Sequence, residues 1–160
     1  MKTILIIVIV VILGFIIYLQ FGKSESQVVV KNNTNVTTQE ENIVGCYVAT
    51  LAKDVYTINI NSQNDQAVEG TLTFDNFEKD SSSGTFGGTY KDGILLGEYS
   101  FQSEGMNSVM QVIFKKQGND FVRGFGPVNA TGDAFVDVND VTYDTSVVFK
   151  ATTGECADSL

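Results

Sequence analysis

The chain has 160 residues, a formal net charge of −9 and no histidine. This length allows one ordinary domain with a terminal appendage, and the acidic charge disfavours nucleic acid as a partner because phosphate backbones repel it. Without histidine there can be no Ser-His-Asp or Cys-His nucleophile system, and the commonest metal ligand is missing. We therefore predict no catalytic residue, no metal site and no cofactor, and do not expect an enzyme.

The N-terminal stretch Ile4–Leu19 is apolar apart from Gly14 and Tyr18. As a helix it would extend about 24 Å at roughly 1.5 Å per residue, and its flanking residues can lengthen it towards the ~30 Å hydrocarbon core. Lys2 precedes it, and neither a small-residue cleavage site nor a lipobox cysteine follows it. We predict an uncleaved transmembrane signal anchor over residues 1–22, with a cleaved signal peptide as the alternative.

The anchor predicts a single-pass protein of the cell membrane. Positive-inside logic places the C-terminal part outside the cytoplasm, in a periplasmic or extracellular position. Residues 23–42 are mostly polar and show no hydrophobic period, which is typical of a flexible linker. We expect a separate β-domain over residues 43–160, because apolar or aromatic residues alternate there with polar residues or glycine.

The alternation predicts about eight strands joined mostly by short turns, of which Lys91-Asp92-Gly93 has typical hairpin chemistry. The predicted strands are Cys46–Leu51, Val55–Asn61, Val68–Phe74, Thr85–Tyr90, Ile94–Phe101, Val109–Lys115, Phe121–Gly126 and Thr145–Ala151. A polar turn is expected at 62–66 and an irregular Asp-rich segment, with one helical turn, at 129–144. We predict an all-β antiparallel up-and-down barrel of lipocalin-like form, whose interior holds side chains or one small ligand. A two-sheet sandwich is the alternative.

The two cysteines lie at opposite ends of this β-domain in the sequence. Cys46 begins the first predicted strand and Cys156 follows the last one. In a closed barrel the first and last strands are neighbours, so the two thiols can meet. We predict a disulfide, as expected in an extracytoplasmic compartment, with two buried free thiols as the alternative.

The central part of the chain carries a string of motifs: EKDSSSGTFGGTY from Glu78, GILLGEYSFQSEG from Gly93, MQVIFK from Met110 and RGFG from Arg123. Over roughly residues 46–149 these motifs resemble an uncharacterised family of small bacterial envelope proteins, many of them lipoproteins. The chain departs from the lipoprotein members because it lacks the lipidated cysteine and carries an apolar N-terminal segment instead. The resemblance implies an envelope location and no particular activity.

Arg123 is the most informative candidate site residue, because it is the single arginine of the chain. It shares an alternation phase with Phe121 and Phe125, so it points inward if they do. A buried guanidinium requires a carboxylate partner, for which Glu104 and Glu98 are the candidates. One interpretation is a polar anchor for an anionic or carboxylate-bearing ligand, and the other is a salt bridge that closes one end of the barrel.

Further acidic residues are candidates for the site. Glu78 and Asp80 flank a predicted hairpin and, with Glu104, are the carboxylates that we expect at one end of the barrel. The Asp-rich segment does not have the spacing of a calcium loop, which needs a central glycine and a closing glutamate. The residues that could supply oxygen ligands to Ca²⁺ in this segment are Asp133, Asp137, Asn139, Asp140 and Asp144, and we expect a solvated acidic loop instead.

These features together predict a membrane-tethered extracytoplasmic binding module. Its partners would be the membrane, through the N-terminal helix, and a small apolar or anionic ligand or an envelope protein. The alternative is a structural or assembly protein of the cell envelope that acts through its surface and holds no ligand.

Overall fold

The structure is a computed structural model that describes residues 41–103, 105–154 and 156. Its strands are β1 Gly45–Leu51, β2 Asp54–Asn64, β3 Ala67–Asp75, β4 Ser82–Lys91, β5 Ile94–Ser103, β6 Met106–Gln117, β7 Asp120–Phe125 and β8 Thr142–Ala151. Each strand pairs antiparallel with its neighbours in sequence, and β8 returns to β1 to close a barrel. The predicted all-β barrel of eight strands is confirmed, and the sandwich is excluded.

The predicted anchor over residues 1–22 and nearly all of the predicted linker over residues 23–42 lie outside the described residues. Both remain predictions, as does the single-pass membrane location. In the described ranges, no helix has the length and apolar character needed to cross a bilayer.

Alternating side chains fill the barrel, as the sequence pattern predicted. The inward faces carry aromatic and branched apolar residues, among them Ile58, Leu72, Phe114 and Phe149, which are all at most 1% exposed. The aromatic rings among them pack edge to face, for example Phe114 against Phe149 with 5.4 Å between the ring centroids. The middle of the barrel is therefore a packed core.

Several predicted element boundaries differ from those in the structure. The polar run at 62–66 was expected to be a turn, but β2 continues through it to Asn64 and the turn follows at residues 65–66. A register shift between Ile60 and Ser62 absorbs one residue, so Gln63 rather than its neighbours reaches towards the interior. Three strands also begin three residues before their predicted starts at Thr85, Val109 and Thr145. They are β4, β6 and β8, which begin at Ser82, Met106 and Thr142.

Glycines allow the closest approach of two strands inside the barrel. Gly88 of β4 lies opposite Gly97 of β5, and both face inward. A Cβ atom at Gly88 would lie 2.3 Å from the Leu96 carbonyl oxygen, and one at Gly97 would lie 2.7 Å from the Phe86 ring. The Phe86 ring thus lies over the space that a side chain at Gly97 would need, and glycine is required at this point.

One end of the barrel, which we call the closed end, contains the β2–β3, β4–β5 and β6–β7 turns. The segment that precedes β1 crosses it, and Ile43 is 1% exposed there. Gln63 fixes this segment, because its Oε1 accepts from Ile43 N at 2.8 Å and its Nε2 donates to Glu41 O at 3.1 Å. The Tyr47 hydroxyl donates to Ile43 O at 2.9 Å, and Lys116 forms an ion pair with Glu41 at 3.0 Å.

The predicted disulfide joins Cys46 to Cys156 and is confirmed. The two Cα atoms are 5.2 Å apart, and Thr152 N donates to Cys46 O at 2.8 Å just before the bridge. The link follows directly from barrel closure, because β1 and β8 pair at Tyr47 with Ala151 and at Val48 with Lys150.

The opposite end, which we call the open end, contains the other connections: β1–β2, β3–β4, β5–β6 and β7–β8. The β7–β8 connection is the longest of these and folds over the outside of β6. It is irregular with one 3-10 turn at Val138–Asp140, as predicted. Gln111 of β6 attaches it, because Gln111 N donates to Asp133 O at 2.7 Å and Phe135 N donates to Gln111 Oε1 at 3.1 Å.

Candidate ligand-binding pocket at the open end of the barrel

A cavity of about 300 Å³ opens at the open end, above the packed core. Five neighbouring strands of the closed barrel and one connection contribute to its wall, so it lies inside the barrel and not on its outer surface. It is lined by Leu51, Tyr56, Phe74, Asn76, Arg123, Phe125, Asp144, Val147 and Phe149. Most of these side chains are apolar or aromatic, and Arg123 provides the positive charge.

The position of Arg123 follows from strand alternation. Phe121 is fully buried in the core, and Arg123, two residues further along β7, faces the same interior one layer nearer the open end. Phe125 comes next in the same phase but reaches the rim, where it is 49% exposed. The expected inward direction therefore holds for Phe121 and Arg123 and only partly for Phe125.

A bulge in β8 makes room beside Arg123. The register passes from Val122 paired with Val148 to Gly124 paired with Tyr143, so β8 advances by five residues while β7 advances by two. No residue of β8 is therefore paired opposite Arg123. The bulged residues 144–147 bring Asp144 and Val147 into the cavity wall.

The bulge is held by its own short hydrogen bonds. Asp144 Oδ1 accepts from Ser146 N at 2.8 Å and from Ser146 Oγ at 2.6 Å. These bonds favour the ionised carboxylate and hold the pKa of Asp144 below its usual range. The cavity wall thus carries a negative charge as well as the positive charge of Arg123.

Aromatic rings surround the Arg123 guanidinium. Its Cζ lies 4.4 Å from the centroid of the Phe74 ring and 5.0 Å from that of Phe125. Burial lowers the pKa of Arg123, and the nearby Tyr56 and Tyr99 partly offset that effect. The side chain stays protonated, because an arginine guanidinium does not lose its proton in proteins at ordinary pH. No carboxylate oxygen of the described residues lies within 4.0 Å of the guanidinium.

A hydrogen-bond network fixes the wall opposite Arg123. The Tyr56 hydroxyl lies 3.2 Å from Asp54 Oδ2 and 3.1 Å from Asn76 Oδ1. Asn76 Nδ2 donates to Asp80 O at 2.7 Å, and Phe77 N donates to Asp54 Oδ1 at 2.8 Å. Burial and then Asp54 raise the pKa of Tyr56, so its hydroxyl is neutral at physiological pH. These contacts connect the β1–β2 turn to the β3–β4 connection.

The structure brings only part of the predicted site together. Glu78 and Asp80 lie in the β3–β4 connection at the open end, but both are exposed and neither lines the cavity. Asp80 contributes through its backbone oxygen, which anchors Asn76. Glu104 lies outside the described residues, so its pairing with Arg123 remains a prediction.

Glu98 is not placed where the sequence analysis expected it. It is exposed on the outer face of β5, where it borders a shallow depression together with Glu69. Its inward neighbours in β5 are Gly97 and Tyr99, and strand alternation turns Glu98 the other way. Its carboxylate therefore cannot be the internal partner of Arg123.

Sequence reasoning missed Tyr56, Asn76, Asp144 and Val147 as parts of the pocket. Tyr56 lies within the predicted strand Val55–Asn61, but nothing in the sequence linked it to Arg123. The usable signal was Asp144-Thr-Ser146, since Asp followed two residues later by Ser favours a local side-chain to backbone turn. Such a turn inside a strand indicates a bulge.

The Asp-rich connection uses its oxygens in turns. Asp133 Oδ1 accepts from Thr131 Oγ1 and from Asn129 Nδ2, each at 2.7 Å, and these bonds lower its pKa. Asp137 accepts from Asn139 N at 2.8 Å and caps the 3-10 turn. Within residues 41–103, 105–154 and 156, no three His, Cys, Asp or Glu side chains are grouped so that they could hold a metal ion.

Comparison with known proteins adds no functional assignment to this geometry. No protein-family model matches the chain. No curated protein and no solved structure matches it either.

Proposed function

We propose that this protein is a binding module that takes a small, largely apolar molecule into the open end of its barrel. The observation that carries the proposal is the cavity of about 300 Å³, which has the size of a small ligand pocket and is walled mainly by apolar and aromatic side chains. Among the described residues, Ile43 and its contacts fill the closed end, which favours ligand entry from the open end.

The cellular setting belongs to the same proposal. The apolar segment Ile4–Leu19 would tether the barrel to a membrane, with the pocket on the outer side. The resemblance to small bacterial envelope proteins supports this location. The disulfide between Cys46 and Cys156 supports it as well, because such bonds persist in oxidising compartments.

Two tryptophan variants, one inside the pocket and one outside it, test the proposal against the wild type. Fluorine NMR would record the binding of a neutral aromatic probe, 4-fluorobenzamide, to the full chain in lipid nanodiscs. Val147→Trp fills the cavity from the β8 bulge, whereas Val136→Trp adds the same ring to an exposed site. We expect saturable binding to the wild type and to Val136→Trp, and none to Val147→Trp. Equal signals from all three proteins would contradict the proposal.

A second candidate function is assembly with another envelope protein. In the described part of the chain, the strongly exposed large apolar side chains, apart from Val44, lie at the open end or on the β7–β8 connection. They are Leu51, Val55, Phe77, Met106, Val109, Phe125, Val128, Val136 and Val138. An exposed apolar surface of this kind favours a partner. Photo-crosslinking from position 77 in cells would yield an adduct of defined mass if a partner binds there, and the monomer alone if none does.

A further inference from the structure

The positive charge of Arg123 in the pocket wall indicates the chemical class of the ligand. The Arg123 guanidinium lines the cavity, and no hydrogen bond joins it to another described residue. A guanidinium presents several N–H donors in a planar fork that matches a carboxylate. We infer that the pocket selects small organic monocarboxylates, with the carboxylate paired to Arg123 and the apolar part directed towards the wall. This inference rests on the proposed function, namely that the pocket takes up a small molecule at all.

The surroundings of the guanidinium strengthen its pairing with an anion. The ring centroids of Phe74 and Phe125 lie 4.4 and 5.0 Å from Arg123 Cζ, so the two rings cover part of the guanidinium. In such a low-dielectric site a charge pair is stronger than in water, and an unpaired charge is costly. No carboxylate of the described residues pairs with Arg123, so a bound carboxylate would offset the desolvation of the guanidinium and thereby favour binding.

The neighbouring carboxylates limit the ligand to one negative charge. Asp144 lies in the same wall, and Asp54 is hydrogen-bonded to Tyr56, which also lines the cavity. Arg123 is thus the one positive charge among the described residues of the pocket wall, and two carboxylates lie near it. One negative charge on the ligand can pair with Arg123, whereas a second one would be repelled by these carboxylates. We expect phosphate esters, which are dianions above about pH 7, to bind more weakly than carboxylates of the same size.

The apolar wall indicates what the rest of the ligand is. Leu51, Val147 and Phe149 provide a surface for one aromatic ring or one short branched chain, and the cavity has about 300 Å³ of space. That volume is at the lower limit of ligand pockets. An aryl carboxylate of the size of benzoate fits this description, whereas a long-chain fatty acid exceeds it.

The test compares two probes of nearly equal shape, 4-fluorobenzoate and 4-fluorobenzamide, by fluorine NMR titration of the full chain in nanodiscs at pH 7.5. We expect the carboxylate to bind about tenfold more tightly than the amide, a difference of about 1.4 kcal/mol, because its hydrogen bonds to the guanidinium join two opposite charges. Arg123→Met should reduce this ratio to about one. Arg123→Lys should retain part of it, since lysine supplies the charge without the fork.

The outcomes separate the two proposals. Equal affinities of the wild type for acid and amide would overturn the carboxylate class and leave the small-molecule pocket intact. A preference for the acid that survives in Arg123→Met would overturn the role of Arg123. Tighter binding of 4-fluorophenyl phosphate than of 4-fluorobenzoate would overturn the carboxylate class and indicate phosphate esters as the ligand class. No binding of either benzoate or benzamide to the wild type would overturn the proposed function itself.

Discussion

A single methyl group at Gly88 should destabilise the barrel strongly. In Gly88→Ala the new Cβ would lie 2.3 Å from Leu96 O and 2.6 Å from Gly97 Cα, and both atoms belong to the backbone of β5. Ordinary van der Waals contact begins near 3.4 Å, so β4 and β5 would have to separate by about 1 Å. Overpacking alone costs about 1–3 kcal/mol, and each weakened ladder hydrogen bond adds about 1 kcal/mol. We expect a loss of about 3 kcal/mol or more.

The adjacent residue provides a matched control. Gly87 faces outward from β4, and a Cβ there would have no heavy atom within 4 Å. Gly87→Ala should leave the stability unchanged or raise it by about 0.5–1 kcal/mol, because alanine loses less backbone entropy on folding. Urea denaturation followed by circular dichroism or tyrosine fluorescence suits a chain with six tyrosines and no tryptophan. If Gly88→Ala unfolded within 1 kcal/mol of Gly87→Ala, the close approach of β4 and β5 would be refuted.

Three further measurements address the closed end and the disulfide. Replacing Cys46 and Cys156 by serine should lower the free energy of unfolding by about 4–5 kcal/mol, as chain-entropy arguments give for a loop of this length, and urea denaturation measures it. Burial and, to a smaller degree, Glu41 raise the pKa of Tyr47 to about 12. The unfolded chain releases this proton first, so stability should fall between about pH 10 and 12, and by less in Tyr47→Phe. Gln63→Leu should speed amide hydrogen exchange at Ile43, whose N–H loses its acceptor; an unchanged rate would contradict the assigned contact.

The barrel could be predicted from the sequence because its strands have a simple period. Inward residues such as Ile58, Leu72 and Phe114 alternate with polar ones. Three of the connections carry a glycine at positive φ, namely Gly93, Gly105 and Gly118. The disulfide followed from closure, since first and last strands must then be neighbours. Arg123 could be placed inside by the same alternation, because Phe121 fixes the phase two residues earlier.

The shape of the pocket could not be predicted in this way, because it depends on departures from the period. The register shift after Ile60 and the bulge at residues 144–147 each move side chains off the phase that a regular strand gives them. The bulge brings Asp144 close to the site, whereas regular alternation keeps Glu98 outside. Residues of β3, β7 and β8 meet in the pocket only because the barrel closes and its strands pair in a particular register. No local sequence pattern encodes either property.

The bond between Cys46 and Cys156 makes a covalent ring out of almost the whole barrel. All seven connections between strands lie within that ring, including the exposed β3–β4 and β7–β8 segments. A protease that cuts either segment once therefore opens the ring without releasing a fragment. The nicked molecule keeps both parts at a fixed local concentration, so its strands can re-pair after transient unfolding. Only a second cut, or reduction of the bridge, separates the pieces.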